Sequence, residues 1–411
     1  MLKKSRFYLM SVSLFLGLPS TAALAQEVDE DAALDVHQST GSAYTLASPS
    51  APLAAVVSTS ASVQQPEADD SGFLDFFRKT ELSGTVDFYY TYSFNEPETG
   101  SLIPLRVFDG QHNELSFALA EIAFSKPATS DDRVGFRVDL DFGPVADAVN
   151  AFEPGGDTFR NLQQGYISYL APVGNGLTID FGRYVTQHGA EVIEAKDNWN
   201  YSRSILFGFA IPFYHTGFRL NYSVNDAFSF GGTFSNGWNN STENNSGKTY
   251  SVMATIKPSS ELTILQNYMG GPEQPGNTDD LRHLYDATVS YAVSDKLSVM
   301  ANYDYGHDEI DGQGVSWQGV ALYAKLQATP IFAVIPRFEY YNDSDGFTTG
   351  LAQKLKELTL TAELKHGHGL IMRIEYRGDW SDADYFVEND NPKDNQHTFT
   401  VGWIYGFSSH P

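Results

Sequence analysis

Three absences narrow the class of this protein. Cysteine is absent, which excludes disulfide bonds, thiolate metal sites and lipid attachment to an N-terminal cysteine. Beyond residue 18 no stretch approaches the roughly 20 apolar residues that a membrane-spanning helix needs. Basic residues are scarce, with 26 Lys and Arg against 51 Asp and Glu. Because nucleic-acid binding requires a basic face, this acidity excludes nucleic acid as a partner.

The N terminus has the pattern of a secretory signal peptide over residues 1–25. Basic residues within 3–6 precede an apolar run over 7–18, and small residues at 23–25 form a cleavage site. We expect the mature chain to begin at Gln26. Its net charge is then (26 − 3) − 51 = −28.

Two segments follow before any regular pattern begins. Residues 26–70 consist mainly of Ala, Ser, Thr, Val, Gln and Pro without a helical or strand period, which predicts a disordered periplasmic linker. Residues 71–79 form a short amphipathic segment that either seats at the periplasmic rim or partly plugs a lumen. The alternative is a ragged start to the first strand.

From residue 80 to residue 411 apolar and polar residues alternate with a period of two. In the first such stretch Phe88 and Tyr90 lie on one face, whereas Asp87 and Thr91 lie on the other. A long strand with one apolar and one polar face is typical of a membrane barrel, with lipid outside and water inside. The alternation is clear in nine segments: 80–94, 133–142, 214–224, 283–293, 297–305, 332–340, 356–364, 370–380 and 397–407. It is weaker in seven more: 113–125, 162–170, 177–184, 228–236, 249–257, 261–269 and 315–327.

The connections between these segments alternate in length. The short ones carry turn residues and are 127–132, 172–176, 225–226, 258–260, 294–295, 329–330 and 367–369. The long ones are 95–112, 143–160, 187–212, 238–247, 270–281, 306–314, 342–352 and 381–394. A soluble sandwich or propeller has no reason to sort its loops in this way. We therefore predict an all-β fold, a transmembrane antiparallel up-and-down β-barrel of sixteen strands with both termini in the periplasm.

One strand leaves a side chain unassigned. In 113–125 both faces are partly apolar. Whether Glu121 points into the barrel therefore stays open.

The third long connection, residues 187–212, is too long and too apolar to be an unstructured loop exposed to solvent. It holds three acids, two bases and an apolar run over 205–211; the charged residues are Glu191, Glu194, Lys196, Asp197 and Arg203. We predict that this extracellular loop folds into the lumen and sets the pore size. It would face lumen-side arginines of the wall, namely Arg137, Arg219, Arg337 and Arg373. The alternative is a loop against the barrel rim, at a subunit contact, with the arginines simply solvated.

Other site chemistries find less support. The acidic stretches 308–312, 342–346 and 381–394 lack the ligand spacing and closing Glu of an EF-hand, so we expect no metal and no cofactor. No Gly-x-Ser-x-Gly elbow positions a nucleophile beside the histidines, so we expect no enzymatic activity. A plugged barrel with a structural or adhesive role is the alternative to a channel. Mixed charge in a wet cavity fits a conduit better, since unpaired buried charge costs several kcal/mol.

The chain resembles the OmpL-like putative β-barrel porin-2 family of outer-membrane proteins over roughly 84–407. The residues that carry the likeness are Gly182-Arg183, 188–193, 200–204, Pro212, 215–217, Asn236-Gly237-Trp238, Asn244-Asn245, Lys248, Gly271-Pro272-Glu273 and Asp286. The resemblance implies a diffusion porin of the bacterial outer membrane, with no catalytic residues to transfer. Its expected partners are outer-membrane lipid and small hydrophilic solutes. By analogy of fold with general porins, a homotrimer is expected.

On ion preference the sequence offers two opposing effects, and we expect weak cation selectivity on balance. The net charge draws cations to the mouths of the channel and favours weak cation selectivity. The inward arginines favour anions or sugars at the narrowest point.

Overall fold

The computed structural model describes residues 71–389 and 391–409. The predicted signal peptide (1–25) and linker (26–70) lie outside the described residues. Within the described ranges no helix is long and apolar enough to cross a membrane. A short helix α1 (Ser71–Arg78) comes first, and the strands begin at Glu81.

Sixteen antiparallel strands close into one barrel, in which each strand pairs with its neighbours in chain order and the first pairs with the last. This confirms the predicted sixteen-stranded up-and-down barrel. The first eight are β1 (Glu81–Ser93), β2 (Glu114–Lys126), β3 (Val134–Phe142), β4 (Leu162–Ala171), β5 (Leu177–Val185), β6 (Tyr214–Asn225), β7 (Phe228–Ser235) and β8 (Thr249–Ile256). The others are β9 (Leu262–Gly271), β10 (Arg282–Ser294), β11 (Leu297–Ile310), β12 (Gln313–Thr329), β13 (Phe332–Asp343), β14 (Gln353–His366), β15 (Leu370–Ser381) and β18 (Asn395–Ser408).

The remaining elements lie in the long connections. Helix α2 (Pro144–Val149) follows β3, and helix α3 (Ile205–Phe209) lies between β5 and β6. Two 3-10 turns span Gly156–Phe159 and Ala195–Asp197. A small hairpin, β16 (Phe386–Glu388) with β17 (Asn391–Lys393), stands in the last long connection.

The period of two in the sequence becomes two faces of the wall. Along β13, Phe338 is 42% exposed, whereas its neighbours Arg337 and Glu339 are fully buried. Along β14, Leu358 is 47% exposed beside a fully buried Glu357. An apolar outer surface with charged residues inside matches a barrel whose solvent outside is lipid.

A bulge in β2 determines the direction of Glu121. The register between β1 and β2 shifts after Asp87. Asp87 pairs with Leu119 and Phe88 pairs with Phe117, so Ala118 between them is the extra residue of a bulge. Both Ala118 and Leu119 are consequently buried. The alternation changes phase at this point, so Glu121 faces inward and is 4% exposed. The bulge also explains why both faces of this strand look partly apolar in the sequence.

One predicted connection was wrong. Residues 306–314 were expected to form a long loop, but β11 continues to Ile310 and β12 starts at Gln313. Asp311 and Gly312 alone make the turn, with φ angles of 50° and 73°. An Asp-Gly pair with two positive φ angles is the signature of a type I′ hairpin turn. The polar residues on either side of this turn belong to β11 and β12, which are therefore longer than the sequence predicted.

Helix α1 contacts the outer face of the barrel. The ring of Phe76 stacks on that of Phe136 in β3, with centroids 6.0 Å apart and planes 11° apart. Phe136 lies on the same face as the exposed Val134 and Phe142, whereas its neighbour Arg137 lies on the inner face. This contact supports the rim position for residues 71–79 over the plug.

Candidate functional site

The third long connection leaves and re-enters the barrel at one point. Val185 at the end of β5 pairs directly with Tyr214 at the start of β6, so residues 186–213, here called the third loop, form an excursion between two adjacent positions. Helix α3 within it is capped by the preceding Ser204, whose Oγ accepts the amide of Phe207 at 3.0 Å. A serine cap of this kind satisfies an amide that the first helical turn leaves free.

Carboxylates of the barrel wall hold the backbone of the third loop. Glu339 of β13 accepts the amides of Ile205 and Leu206 at 2.9 and 3.1 Å. Glu375 of β15 accepts the amide of Tyr201 at 2.9 Å. Free amides and the positive end of the helix dipole both favour a carboxylate at this position. The two wall acids therefore replace the water that these amides would otherwise bind.

Arg337 of β13 joins the loop to two further acids. Its Nη1 donates to the carbonyl of Ser202 at 2.6 Å and to Glu191 at 3.0 Å, and its Nε donates to Glu357 of β14 at 3.2 Å. The Arg337 side chain is fully buried. A guanidinium offers five donors in a fixed plane, so it can serve several acceptors at once.

Arg373 of β15 acts in the same way further along the loop. It donates to the carbonyls of Ala195 and Asn200 at 2.5 and 3.1 Å, and also to that of Asn198. Its ion-pair partner is Glu363 of β14, at 2.7 Å. Both wall arginines are thus occupied by loop carbonyls and wall acids together.

Glycines in the wall make room for loop side chains. A Cβ on Gly402 of β18 would stand 2.3 Å from the ring of Tyr201, and one on Gly319 of β12 would stand 2.7 Å from Leu206. The Tyr201 hydroxyl donates to Asp87 of β1 at 2.9 Å. Burial, together with the nearby charge of Asp87, raises the pKa of Tyr201 well above its ordinary value, so this hydroxyl remains a donor. The loop also reaches β9, whose Asn267 donates to the carbonyl of Gln187 at 3.1 Å, so it contacts the inner face from β9 around to β1.

The first long connection, residues 94–113, also takes part, and the sequence interpretation missed it. Arg106 donates to the inward Thr400 of β18 at 3.1 Å and pairs with Asp109. The ring of Phe108 lies 5.9 Å from that of Phe207 in helix α3. The available signal was an apolar Val-Phe pair between an arginine and an aspartate, which is unusual in a solvated loop.

The structure separates the nine predicted site residues into groups. Glu191 meets Arg337 directly, and Arg373 lies nearby on the same inner wall. Arg203 binds within the loop, donating to the carbonyl of Tyr201 at 2.7 Å.

The other loop charges lie near the 3-10 turn. Lys196 pairs with Asp197 at 2.5 Å, and Glu194 is half-buried beside them. Burial lowers the pKa of Lys196, but the hydrogen bond and charge of Asp197, together with the charges of Glu121 and Glu194, outweigh burial and leave the pKa above its ordinary value. Lys196 therefore stays charged.

The remaining two arginines stand on the other side of the barrel. Arg137 pairs with Asp139 on β3 at 2.8 Å, and Arg219 of β6 pairs with Asp180 of β5 at 2.8 Å. Neither makes a hydrogen bond to the third loop among the contacts of the described residues. Unlike Arg337 and Arg373, they keep part of their side chains open to water.

The sequence matches the family model described as "Putative beta-barrel porin-2, OmpL-like" over residues 79–407. The chain belongs to this family. It is a porin of the bacterial outer membrane, and both family and fold indicate a channel rather than an enzyme. Among curated proteins, none matches the sequence.

Solved outer-membrane structures share the fold of this porin at low sequence identity. An anion-selective porin from Comamonas acidovorans is 11% identical with a TM-score of 0.54, covering 80% of this chain and 99% of that one. The channel DcaP of Acinetobacter baumannii is 13% identical with a TM-score of 0.53, covering 80% and 97%. In-vitro folded OmpT of Vibrio cholerae, in its trimer form, is 9% identical with a TM-score of 0.52, covering 80% and 99%.

The inner wall of this porin differs between its two sides. Along β12 to β15 the inward side chains that contact the third loop are buried, whereas Lys325 and Lys365 near the periplasmic ends stay partly exposed. Along β6 to β8, the periplasmic halves of the strands carry small or uncharged inward residues that are partly exposed, namely Asn221, Ser229, Gly231, Met253 and Thr255. Partial exposure of uncharged side chains on an inner barrel wall is what a water-filled passage requires.

Proposed function

We propose that this porin passes small hydrophilic solutes and ions by passive diffusion, and that the third loop folds into its lumen as the constriction. The observation that carries this proposal is the bonding of the loop to the buried inner face of one wall while the facing wall keeps partly exposed polar side chains. Sixteen strands enclose a lumen wide enough for water. A loop fixed along one side narrows that lumen without filling it.

The anchoring supports a fixed rather than a mobile constriction. Backbone amides and carbonyls of the loop are satisfied by Glu339, Glu375, Arg337 and Arg373, all of which are at most 1% exposed. Moving the loop off this wall would break these hydrogen bonds to charged groups, each worth about 1.5–3 kcal/mol, although Arg337 and Arg373 would keep the wall acids Glu357 and Glu363. The loop is therefore expected to stay in place during conduction.

Planar-bilayer recording of the purified protein tests the proposal. We expect steady single-channel steps that persist at low voltage and scale with salt concentration, because a fixed constriction filled with water has no gating element in its path. Heat-modifiable migration in gels establishes that the same preparation is a folded barrel. A folded barrel without conductance would contradict the diffusion proposal.

A plugged structural barrel is the second candidate, and one observation favours it. Aromatic and aliphatic residues of the first and third loops pack together into a buried apolar cluster; Phe108, Ile205, Phe207, Ile211 and Phe213 belong to it. An apolar cluster of this kind excludes water locally. Failure of the folded barrel to conduct would move the assignment to this candidate.

A homotrimer is also proposed for this porin. The support is the shared fold with a Vibrio cholerae outer-membrane protein solved in a trimer form. Light scattering of the protein in detergent, corrected for bound detergent, gives the subunit number. A monomer mass would contradict the trimer and would leave the diffusion proposal intact.

A further inference from the structure

The formal net charge of this protein is −25, yet the charges that reach water inside the barrel are mainly basic. In the ion pair on β3, the Arg137 side chain is 41% exposed and that of Asp139 is fully buried. In the pair between β5 and β6, the Arg219 side chain is 15% exposed and that of Asp180 is 4% exposed. Both pairs turn their positive ends toward the lumen.

A third group repeats the arrangement on the opposite wall. Glu363 of β14 is 1% exposed and lies among three bases. Lys325 and Lys365 reach it at 2.7 and 3.8 Å and are 16% and 48% exposed, and Arg373 reaches it at 2.7 Å from within the wall. One buried carboxylate against three cations leaves this cluster with net positive charge, and its two lysines are the members that reach water.

These bases lie on the inner face by the alternation of the strands. Arg137 alternates with the outward Phe136, and Lys325 precedes Leu326, which is 48% exposed on the outer face. Arg219 lies between Phe218 and Leu220, which are 44% and 41% exposed. Their charges therefore face the lumen and not the lipid.

From this arrangement we propose that the lumen selects small anions, chloride and short carboxylates being the chemical class it takes. The inference rests on the proposed function, since selectivity presupposes a conducting lumen. A partly dehydrated anion in a narrow passage meets exposed ammonium and guanidinium groups on two walls. The acids that pair with these bases lie deeper in the barrel wall and are less exposed to water. At close range these groups control ion preference more than the distant surface acids do, because charges beyond about 10 Å are screened at 0.1 M salt.

The third loop contributes the opposing charges. Asp197 is 57% exposed and Glu194 is half-buried, but Lys196, 26% exposed, pairs with Asp197. These loop charges reduce the preference for anions without reversing it. Neutralising Asp197 should therefore raise anion selectivity.

Reversal potentials under a KCl gradient test the inference with matched variants. We expect wild type to favour chloride over potassium. The Arg137→Gln/Arg219→Gln variant should lower the chloride-to-potassium permeability ratio by about two- to fivefold, as expected for removing a pair of partly screened charges. Asp197→Asn should shift the ratio the other way. Arg160→Gln is the control, because Arg160 is 48% exposed beside Asp147 outside the barrel strands; its ratio should equal that of wild type.

The outcomes separate this inference from the proposed function. Conductance with a potassium preference in wild type, or a ratio unaffected by Arg137→Gln/Arg219→Gln, would overturn anion selectivity and leave the porin function standing. A folded barrel without conductance would overturn the porin function itself, and the selectivity with it. If the double variant fails to fold, the single variants Arg137→Gln and Arg219→Gln give the same test with smaller shifts.

Discussion

Replacing residues 186–213 with a two-residue Asn-Gly turn should raise the single-channel conductance at least about twofold, because a sixteen-stranded barrel without an internal loop encloses a wide aqueous channel. Val185 and Tyr214 already pair across β5 and β6. A two-residue turn between them therefore continues the hairpin without altering the register. The measurement is single-channel conductance of wild type and variant under identical salt conditions.

A matched control removes chain of another long connection that does not contact the inner wall. Shortening the second long connection at the 3-10 turn Gly156–Phe159, which has no buried residue, should leave the conductance unchanged. Equal conductance of wild type and the 186–213 replacement would contradict the assignment of the third loop as the constriction.

Arg337→Met should lower the free energy of unfolding by about 3–5 kcal/mol, the typical effect of removing one partner from a buried ion pair. Arg337 is the cation that Glu191, Glu339 and Glu357 share, at 3.0, 3.5 and 3.2 Å. Without it, Glu191 of the third loop and the two wall acids Glu339 and Glu357 remain buried without the cation that they share. The change is measured as the temperature at which the barrel loses its folded migration in gels and as the shift in tryptophan fluorescence.

The comparison for this variant is Arg160→Met, which removes an exposed arginine of equal size and should change stability by less than about 1 kcal/mol. A second comparison adds Glu191→Gln and Glu357→Gln to Arg337→Met, and this triple variant should recover part of the lost stability because fewer charges stay unpaired. An Arg337→Met barrel as stable as wild type would show that the third loop is not held by this network.

The strands of this barrel can be predicted from its sequence because lipid outside and water inside impose a period of two on the residues of each strand. Turn chemistry and the alternation of short and long connections add the topology. The predictions were open or wrong only where this period of two is locally broken. The bulge at Ala118 changes the phase within β2, and the strands around Asp311-Gly312 continue past the region that lipid patterns.

The site was less predictable than the fold for a definite physical reason. Arg137, Arg219, Arg337 and Arg373 all occupy inward strand positions, so periodicity treats them alike. What divides them is the wall on which the third loop lies, and that depends on contacts between residues far apart in sequence, such as Glu339 with the amide of Ile205. The same holds for the first long connection, whose Arg106 meets Thr400 only after the barrel closes.

The position of the third loop inside the barrel is the claim on which the rest depends, and a disulfide tests it directly. The ring Cγ of Tyr201 lies 2.9 Å from where a Cβ on Gly402 would stand. Adding a carbon–carbon bond of about 1.5 Å keeps the two Cβ atoms within about 4.4 Å, which a disulfide spans. The chain has no cysteine of its own, so any bond formed is the designed one.

The measurement is disulfide formation in Tyr201→Cys/Gly402→Cys, read by mass spectrometry of the folded protein in outer membranes after mild oxidation. We predict near-complete formation for this pair and none for Tyr201→Cys/Trp403→Cys, since Trp403 is 38% exposed on the opposite face of β18. No bond with position 402, or equal bonding with position 403, would contradict a third loop inside the lumen.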